Sequence, residues 1–341
     1  MTQYYTDTTS GSLGTSLVQT AYDRYVEFAL RAVPLIRDVA DKKPVQQAMP
    51  GSSVVFQIYT DLSQATSTLG ETADPDAVAL GNTTSIPVTL AEYGNASLTT
   101  RKLELFSLTD VDPAIADIIA FNMADSIDTV AQNALRIGAN VIAETGATSS
   151  AAGNQASTFA GTYTNDATGV AKVGPYDTIK SRNVRMAIAK LRAGKAVPRA
   201  GEYYWCGIHP EVSHDLRAET GAGGWREAHV YNESGAGELW PGAIGTYEGA
   251  MFVESPRLYN TADGRTGVTG ATGAARVYRT LVAGKQALAE AIAEEPHVVF
   301  GPVVDKLMRF RPIGWYGVLG FALYRTASLV RIETTSSINN Q

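Results

Sequence analysis

The chain has 341 residues, 45% of them hydrophobic, and carries 28 basic against 34 acidic side chains for a formal charge of −6. That is ample apolar surface for a folded core, about two domains' worth at ~150 residues each, and it excludes wholesale disorder. The acidic balance excludes a general duplex-DNA binder, which needs a basic face to displace counterions from phosphate.

Cys206 is the single cysteine, so an intrachain disulfide is excluded, and with only four histidines a structural zinc site is not expected. Charged residues make up 18% of the chain, against ~25% for an average soluble domain. A surface built from so much Ala, Gly, Ser, Thr and Tyr reads as one that partly meets other subunits. The opening MTQYYTDTTSG has neither a basic region nor an apolar run, so no signal peptide is expected. No apolar stretch approaches the ~18 residues of a membrane-spanning helix.

In chain order, residues 1–15 are rich in Thr, Ser and Gly and read as an extended arm. Leu17, Tyr22, Tyr25, Val26, Ala29, Leu30 and Val33 share one stripe, which predicts a helix over 16–39 that Pro34 breaks or kinks. Alternation of Val54, Phe56 and Ile58 with Val55, Gln57 and Tyr59 predicts a strand over 52–60. A polar, acidic stretch occupies 61–84. A second strand follows at 85–90, where Pro87 suits an edge. A third alternating run covers 97–105, with Leu103 and Leu105 opposite Lys102 and Glu104.

The strongest element comes next. Asp112 and Pro113 signal a helix start, and Ile115, Ile118, Ile119, Met123, Ile127, Val130, Ala131 and Leu135 recur at helical spacing. A helix from 113 to about 142 would be roughly 45 Å long, far beyond the average of ~11–12 residues. Residues 145–174 are a Gly/Ala/Ser/Thr/Asn-rich loop. A helix is expected at 177–193, strands at 202–208 and 249–254, and a short helix at 209–219 between them. A Gly/Thr loop at 262–275, a strand at 276–283, an Ala-rich helix at 285–294 and successive strands over 297–333 complete the chain.

The residues that chemistry would need do not assemble. His209 and His214 are five apart, about 140° around a helix, whereas zinc favours i, i+4 spacing and a third ligand. His209 precedes Pro210 and reads as an extended or N-cap residue. The glycines of 221–224 and 235–237 lack the strand and helix context of a phosphate loop and read as turns. Asp110 and Asp112 read as capping residues. No G-x-S-x-G elbow is present, and Cys206 in YYWCGI reads as core. Catalytic residues, cofactor and metal are therefore each expected to be none, and the chain is not expected to be an enzyme.

The order of elements, with PGSSVVFQIYTDLS (Pro50–Ser63), LGETADPDA (Leu69–Ala77), LAEYGNASLTTRKLELFSLTD (Leu90–Asp110), the long helix and YGVLGFALYRTASLVRIETT (Tyr316–Thr335), resembles the major capsid protein of tailed bacteriophages. The resemblance covers most of the chain and implies an α+β, Hong Kong-97-type fold. Residues 1–50 would be the N-terminal arm and 51–105 an extended β-loop that lies across a neighbouring subunit. Residues 106–177 would form the peripheral domain with the spine helix and Gly-rich loop, 178–296 the axial domain, and 297–341 the strands returning to the peripheral domain. The implied function is structural: self-assembly into the icosahedral shell that encloses phage DNA, as part of the virion capsid and assembled in the bacterial host cytoplasm.

The implied partners are the chain itself in hexamers and pentamers, a separate scaffolding protein, a portal and, as an optional addition, a decoration protein. DNA would be enclosed without sequence-specific binding, and no membrane is involved. Some family members crosslink through a lysine on the extended loop; this chain has no Lys or Arg from Pro44 to Thr100. Two other readings compete. One is an encapsulin-like nanocompartment shell of the same fold; the other is an α/β hydrolase using His209 or His214.

If the loop crosses a neighbour, its charge suggests where it lands. Residues 44–100 hold Asp61, Glu71, Asp74, Asp76 and Glu92 and no base. Lys306, Arg309 and Arg311 on the terminal strands are the first expected contacts, with Arg24 and Arg31 on the arm helix second. Leu62 and Leu69 are expected to add apolar contact.

Overall fold

The computed structural model describes residues 34–44, 52–106 apart from 60, 63, 67, 70, 72–77, 80 and 82, then 111–143, 158–160, 173, 177–219, 243–258, 276–302, 307 and 309–338. Two sheets organise these residues, and one long helix packs on both. The first sheet has four strands in the order β1 (Ala40–Pro44), β11 (Leu288–Phe300), β12 (Phe310–Leu323) and β4 (Ala91–Thr100). The second has seven, in the order β6 (Thr158–Ala160), β5 (Val141–Ala143), β13 (Leu329–Thr334), β10 (Tyr278–Ala283), β7 (Tyr204–Ile208), β9 (Ala250–Glu254) and β8 (Ala243–Tyr247). A separate hairpin pairs β2 (Ser53–Ile58) with β3 (Thr84–Thr89).

The seven-stranded sheet is buried on both faces, so its central strands read as continuous apolar runs rather than as alternation. On one face Tyr204, Cys206, Ile208, Phe252, Val282, Val330 and Ile332 meet helix α3 (Ser181–Ala193), through Val184, Ile188 and Leu191, and helix α4 (Pro210–Ala218), through Val212 and Leu216. On the other, Trp205, Val253, Leu281 and Leu329 meet Ala131 and Leu135 of helix α2 (Val111–Leu135) and Ile36 and Val39 of a 3-10 turn at Ile36–Val39. The N-terminal half of α2 packs instead on the four-stranded sheet. There Ile119, Ile115 and Met123 contact Ile313 and Trp315, and the Trp315 indole N–H donates to Asn122 Oδ1 at 3.0 Å.

The second face of the larger sheet also buries charge. Arg279 on β10 sits opposite Glu333 on β13, and the Glu333 carboxylate accepts from Arg279 Nε at 3.0 Å and lies 3.1 Å from Arg331 Nε. Arg331 also donates to the Arg136 carbonyl. Helix α2 has no basic residue in its last turn, and this guanidinium from a neighbouring strand satisfies a carbonyl just past the helix end. Removing one member would strand the others in low dielectric, so the arrangement ties β13, β10 and the end of α2 to one geometry.

Most elements stand where the residue pattern puts them, with the following differences. The long helix is shorter than expected: it begins at Val111 and ends at Leu135, and 141–143 is strand. Gly138 closes the helix with its N–H on the Leu135 carbonyl at 3.1 Å. The β-branched pair Val141 and Ile142 then joins β13 in parallel. The alternating run at 97–105 splits, because β4 ends at Thr100 and Arg101–Phe106 form a short helix, α1. The Ala-rich segment at 285–294 is not helix but the start of β11, held between β1 and β12. Its Leu288, Ala289, Glu290 and Ala291 are all fully buried, so tertiary pairing overrides alanine's helix preference. At 16–39, the described part is the 3-10 turn at 36–39; residues 16–33 lie outside the described residues. Within the Gly-rich 145–174, residues 158–160 are strand β6, paired with β5. The loop at 262–275 lies outside the described residues.

Candidate assembly interface

The hairpin of β2 and β3 has little core of its own. Along β2 only Phe56 is buried, and along β3 only Val88. Both rest on Ala289 and Ala291 of β11, with Ala322 and Tyr324 beside them; Phe56 meets the Tyr324 ring edge-on at 5.2 Å. The bed is shallow because its residues are small. Gly320 marks the closest approach: a Cβ there would collide with the Thr89 carbonyl oxygen. Thus the alanines that suggest a helix are instead the floor on which the loop stem lies. Pro87 fits its edge position, since β3 pairs with β2 alone.

Beyond the stem, every described residue from 61 to 83 is exposed, including Asp61, Leu62, Leu69 and Glu71. Leu62 and Leu69 are large apolar side chains facing solvent at 52% and 76%. Of the basic residues expected to receive this loop, Arg309 and Arg311 are exposed at the start of β12, and the Arg309 guanidinium stacks on the Phe310 ring at 5.3 Å. Asp74, Asp76, Lys306, Arg24 and Arg31 lie outside the described residues. Among the described residues, no ion pair joins Asp61 or Glu71 to Arg309 or Arg311.

A second exposed surface escapes the residue pattern. Leu98, Leu103, Leu105, Phe106, Phe300 and Leu307 gather where β4 and β11 end and β12 begins, each between 48% and 78% exposed. An apolar cluster of this kind marks an interaction surface. Its signal lies in Leu103, Leu105 and Phe106 falling within six residues of helix.

The start of the described chain is locked to α2 by charge. Asp128, 2% exposed, accepts the Ile36 N–H at 2.7 Å and the Arg37 N–H at 3.4 Å. Arg257 reaches the same carboxylate at 3.3 Å, contacts Asp125 and donates to the Thr129 hydroxyl at 3.3 Å. Arg37 in turn pairs with Glu290 at 2.8 Å and Glu295 at 2.9 Å. Burial holds the Asp128 carboxyl above its ordinary value, against the pull of the backbone N–H groups. Burial likewise raises Glu290, opposed by Arg37.

The residues considered for chemistry have structural surroundings. His209 caps α4, its Nδ1 accepting the Glu211 N–H at 3.3 Å, and burial lowers its pKa. His214 is exposed beside Asp215, at 3.4 Å. Cys206 is fully buried, and burial raises its thiol pKa. Among the described residues no group of three or more His, Cys, Asp or Glu is placed to hold a metal, and no helix is long and apolar enough to cross a membrane.

Known structures share this architecture. The capsid protein of cyanophage Pam1 superposes with a TM-score of 0.69 at 14% identity, covering 96% of this chain and 99% of that one. The capsid of Ralstonia phage GP4 gives 0.67 at 15% identity, over 97% and 99%. The capsid of Helicobacter pylori bacteriophage KHP30 gives 0.67 at 11%, over 98% and 100%. Likeness at such low identity shows the fold, and it is the Hong Kong-97-type capsid fold. Among curated proteins none matches the sequence. The family model described as phage capsid protein matches residues 17–337. The chain therefore belongs to the phage capsid protein family, and it is a structural major capsid protein of an icosahedral shell.

Proposed function

We propose that copies of this chain assemble into hexamers and pentamers in which the hairpin of 53–89 lies across the neighbouring copy. One observation carries the reading. The stem buries only Phe56 and Val88, while every described residue from 61 to 83 is exposed. Ordering a residue costs ~1–2 kcal/mol of backbone entropy, so this segment needs the surface of another copy to offset it. The apolar end formed by Leu98, Phe106 and Phe300 is a second contact in the same shell.

In this reading the seven-stranded sheet with α3 and α4 forms the axial part, and the four-stranded sheet with the N-terminal half of α2 forms the peripheral part. The expected boundary at 296/297 then moves, because it falls inside β11, and 329–334 belongs with the axial sheet. The chain has no catalytic task. It encloses DNA without sequence-specific contacts, in keeping with a formal charge of −6. Assembly takes place in the host cytoplasm, with a separate scaffolding protein, a portal and, as an optional addition, a decoration protein as further partners.

The test is electron microscopy and sedimentation of the purified chain, alone and with the phage's other head proteins. Closed shells with sixfold and fivefold capsomers are the expected result. A stable 36.2 kDa monomer under all those conditions would overturn the proposal.

A further inference from the structure

A concave basic patch stands out in a chain whose formal charge is −6. A cavity of about 560 Å³ opens where β1, the β2 stem, the turn before β11 and the end of β12 meet. Lys42, Lys43, Lys195, Lys285 and Arg325 line it, with Asp41 as the single acid among the lining residues. That acid is already engaged: its carboxylate accepts the Gln286 N–H at 2.6 Å and pairs with Arg199 at 3.4 Å. The five bases are all exposed. Lys43 reaches the Val55 carbonyl at 3.3 Å and the Phe56 ring, and none of the five makes an ion pair among the described residues.

The backbone holds these bases around one hollow. Lys195 has φ 54 and Gln286 φ 60, both in tight turns. The Lys285 N–H donates to the Val197 carbonyl at 2.8 Å, and the Arg325 N–H to the Gln286 carbonyl at 2.9 Å. Like charges fixed this close together repel one another unless an anionic group sits between them.

We propose that this pocket on one copy receives the acidic loop, residues 61–76, of a neighbouring copy. The inference rests on the shell reading above and names the receptor within it. Charge argues for the occupant, since 44–100 carries five acids and no base. Position argues for it too. Phe56 and Gln57 of the stem line the same cavity, so each loop departs from the rim of its own copy's pocket. Residues 59–83, folded back as a hairpin, reach roughly 40 Å. The described loop residues do not pack on their own chain, and a head-to-tail ring sets each tip on the next copy. Arg309 and Arg311 are the poorer receptor. They stand at the opposite end of β12, roughly 45 Å from Arg325 along the strand, on an open strand end, and Arg309 already stacks on Phe310.

Paired cysteines test this in assembled shells. Asp74→Cys with Lys285→Cys, oxidised with diamide, is expected to give dimers and higher multimers on non-reducing denaturing gels. Cys206 is fully buried and stays silent. Asp74→Cys with Arg311→Cys is expected to stay monomeric. Multimers through Arg311→Cys instead, from intact shells, would overturn the receptor and leave the shell reading in place; failure of the unmodified chain to form shells would strike the shell reading itself. Lys42→Glu with Lys285→Glu is expected to lower shell yield roughly tenfold at low salt, and adding Asp74→Lys with Asp76→Lys is expected to restore it. No restoration would overturn the pairing. A crosslink that forms only in nuclease-treated, empty shells would assign the pocket to nucleic-acid phosphate and also overturn it.

Discussion

In β7, β10 and β13 every residue is buried, whereas β2 and β3 bury one residue each. The seven-stranded sheet has helices or a turn on both faces and even encloses an Arg–Glu–Arg cluster. The hairpin rests on a few alanines, and every described residue of the acidic segment beyond it is exposed. The contrast separates two sources of order. One region is complete within a single chain; the other supplies half of a contact and finds the rest on another copy.

The hardest blow to that contrast is a charge in the complete region. Val282→Asp places a carboxylate at a fully buried position between β13 and β7. The expected cost is roughly 4 kcal/mol or more, seen as loss of soluble protein before any question of assembly arises. Soluble, cooperatively melting protein would show that the sheet is not the folding core.

Changes at the stem should divide folding from assembly. Phe56→Ala removes the largest buried side chain of the hairpin, for about 3 kcal/mol of local packing, and Gly320→Ala drives a methyl into the Thr89 carbonyl. In both, the melting transition of the capsomer-sized protein should move little, while the hairpin becomes protease-sensitive and shell yield falls. If the main melting transition drops by as much as the local packing loss implies, the stem belongs to the core after all.

A smaller effect is expected at the lock between Asp128 and the turn at Ile36–Val39. The folded-state pKa of Asp128 is raised by burial, so the unfolded state releases the proton first as pH rises. Its contribution is fully present below the ordinary carboxylate value and declines as pH climbs through the raised folded value; Glu290 acts in the same direction. Asp128→Asn keeps an acceptor for the Ile36 N–H and should flatten that part of the stability profile, measured by denaturant melts across a pH series. Asp128→Ala should instead cost about 1–3 kcal/mol at every pH, because it leaves the N–H unpaired.

The smallest effect belongs to the loop acids at 74 and 76. Asp74→Lys with Asp76→Lys should weaken particles by ~0.2–1 kcal/mol per contact. The loss should be largest at low salt and shrink as screening sets in within ~8–10 Å. A loss that does not vary with salt would mean that the loop is held by its apolar stem alone.

Local pattern alone determined much of this protein. The apolar recurrence from Ile115 to Leu135 could only be a long helix, the alternation at 52–60 and 85–90 a pair of strands, and His209-Pro210 a helix start. The five acids without a base in 44–100 marked an unusual segment before any fold was known. What tertiary structure decided lies where local preference is weak or contradicted. Leu288–Ile292 is rich in alanine, yet becomes strand because β1 and β12 offer hydrogen-bonded edges on both sides. Val141–Ala143 leaves the helix because a parallel partner lies alongside. Lys42, Lys195, Lys285 and Arg325 are scattered over nearly the whole chain and form a pocket only because two turns and two strand ends converge. Periodicity records which face of an element is buried, but charge brought together from distant segments leaves no periodic trace, so it becomes visible only once the chain is folded.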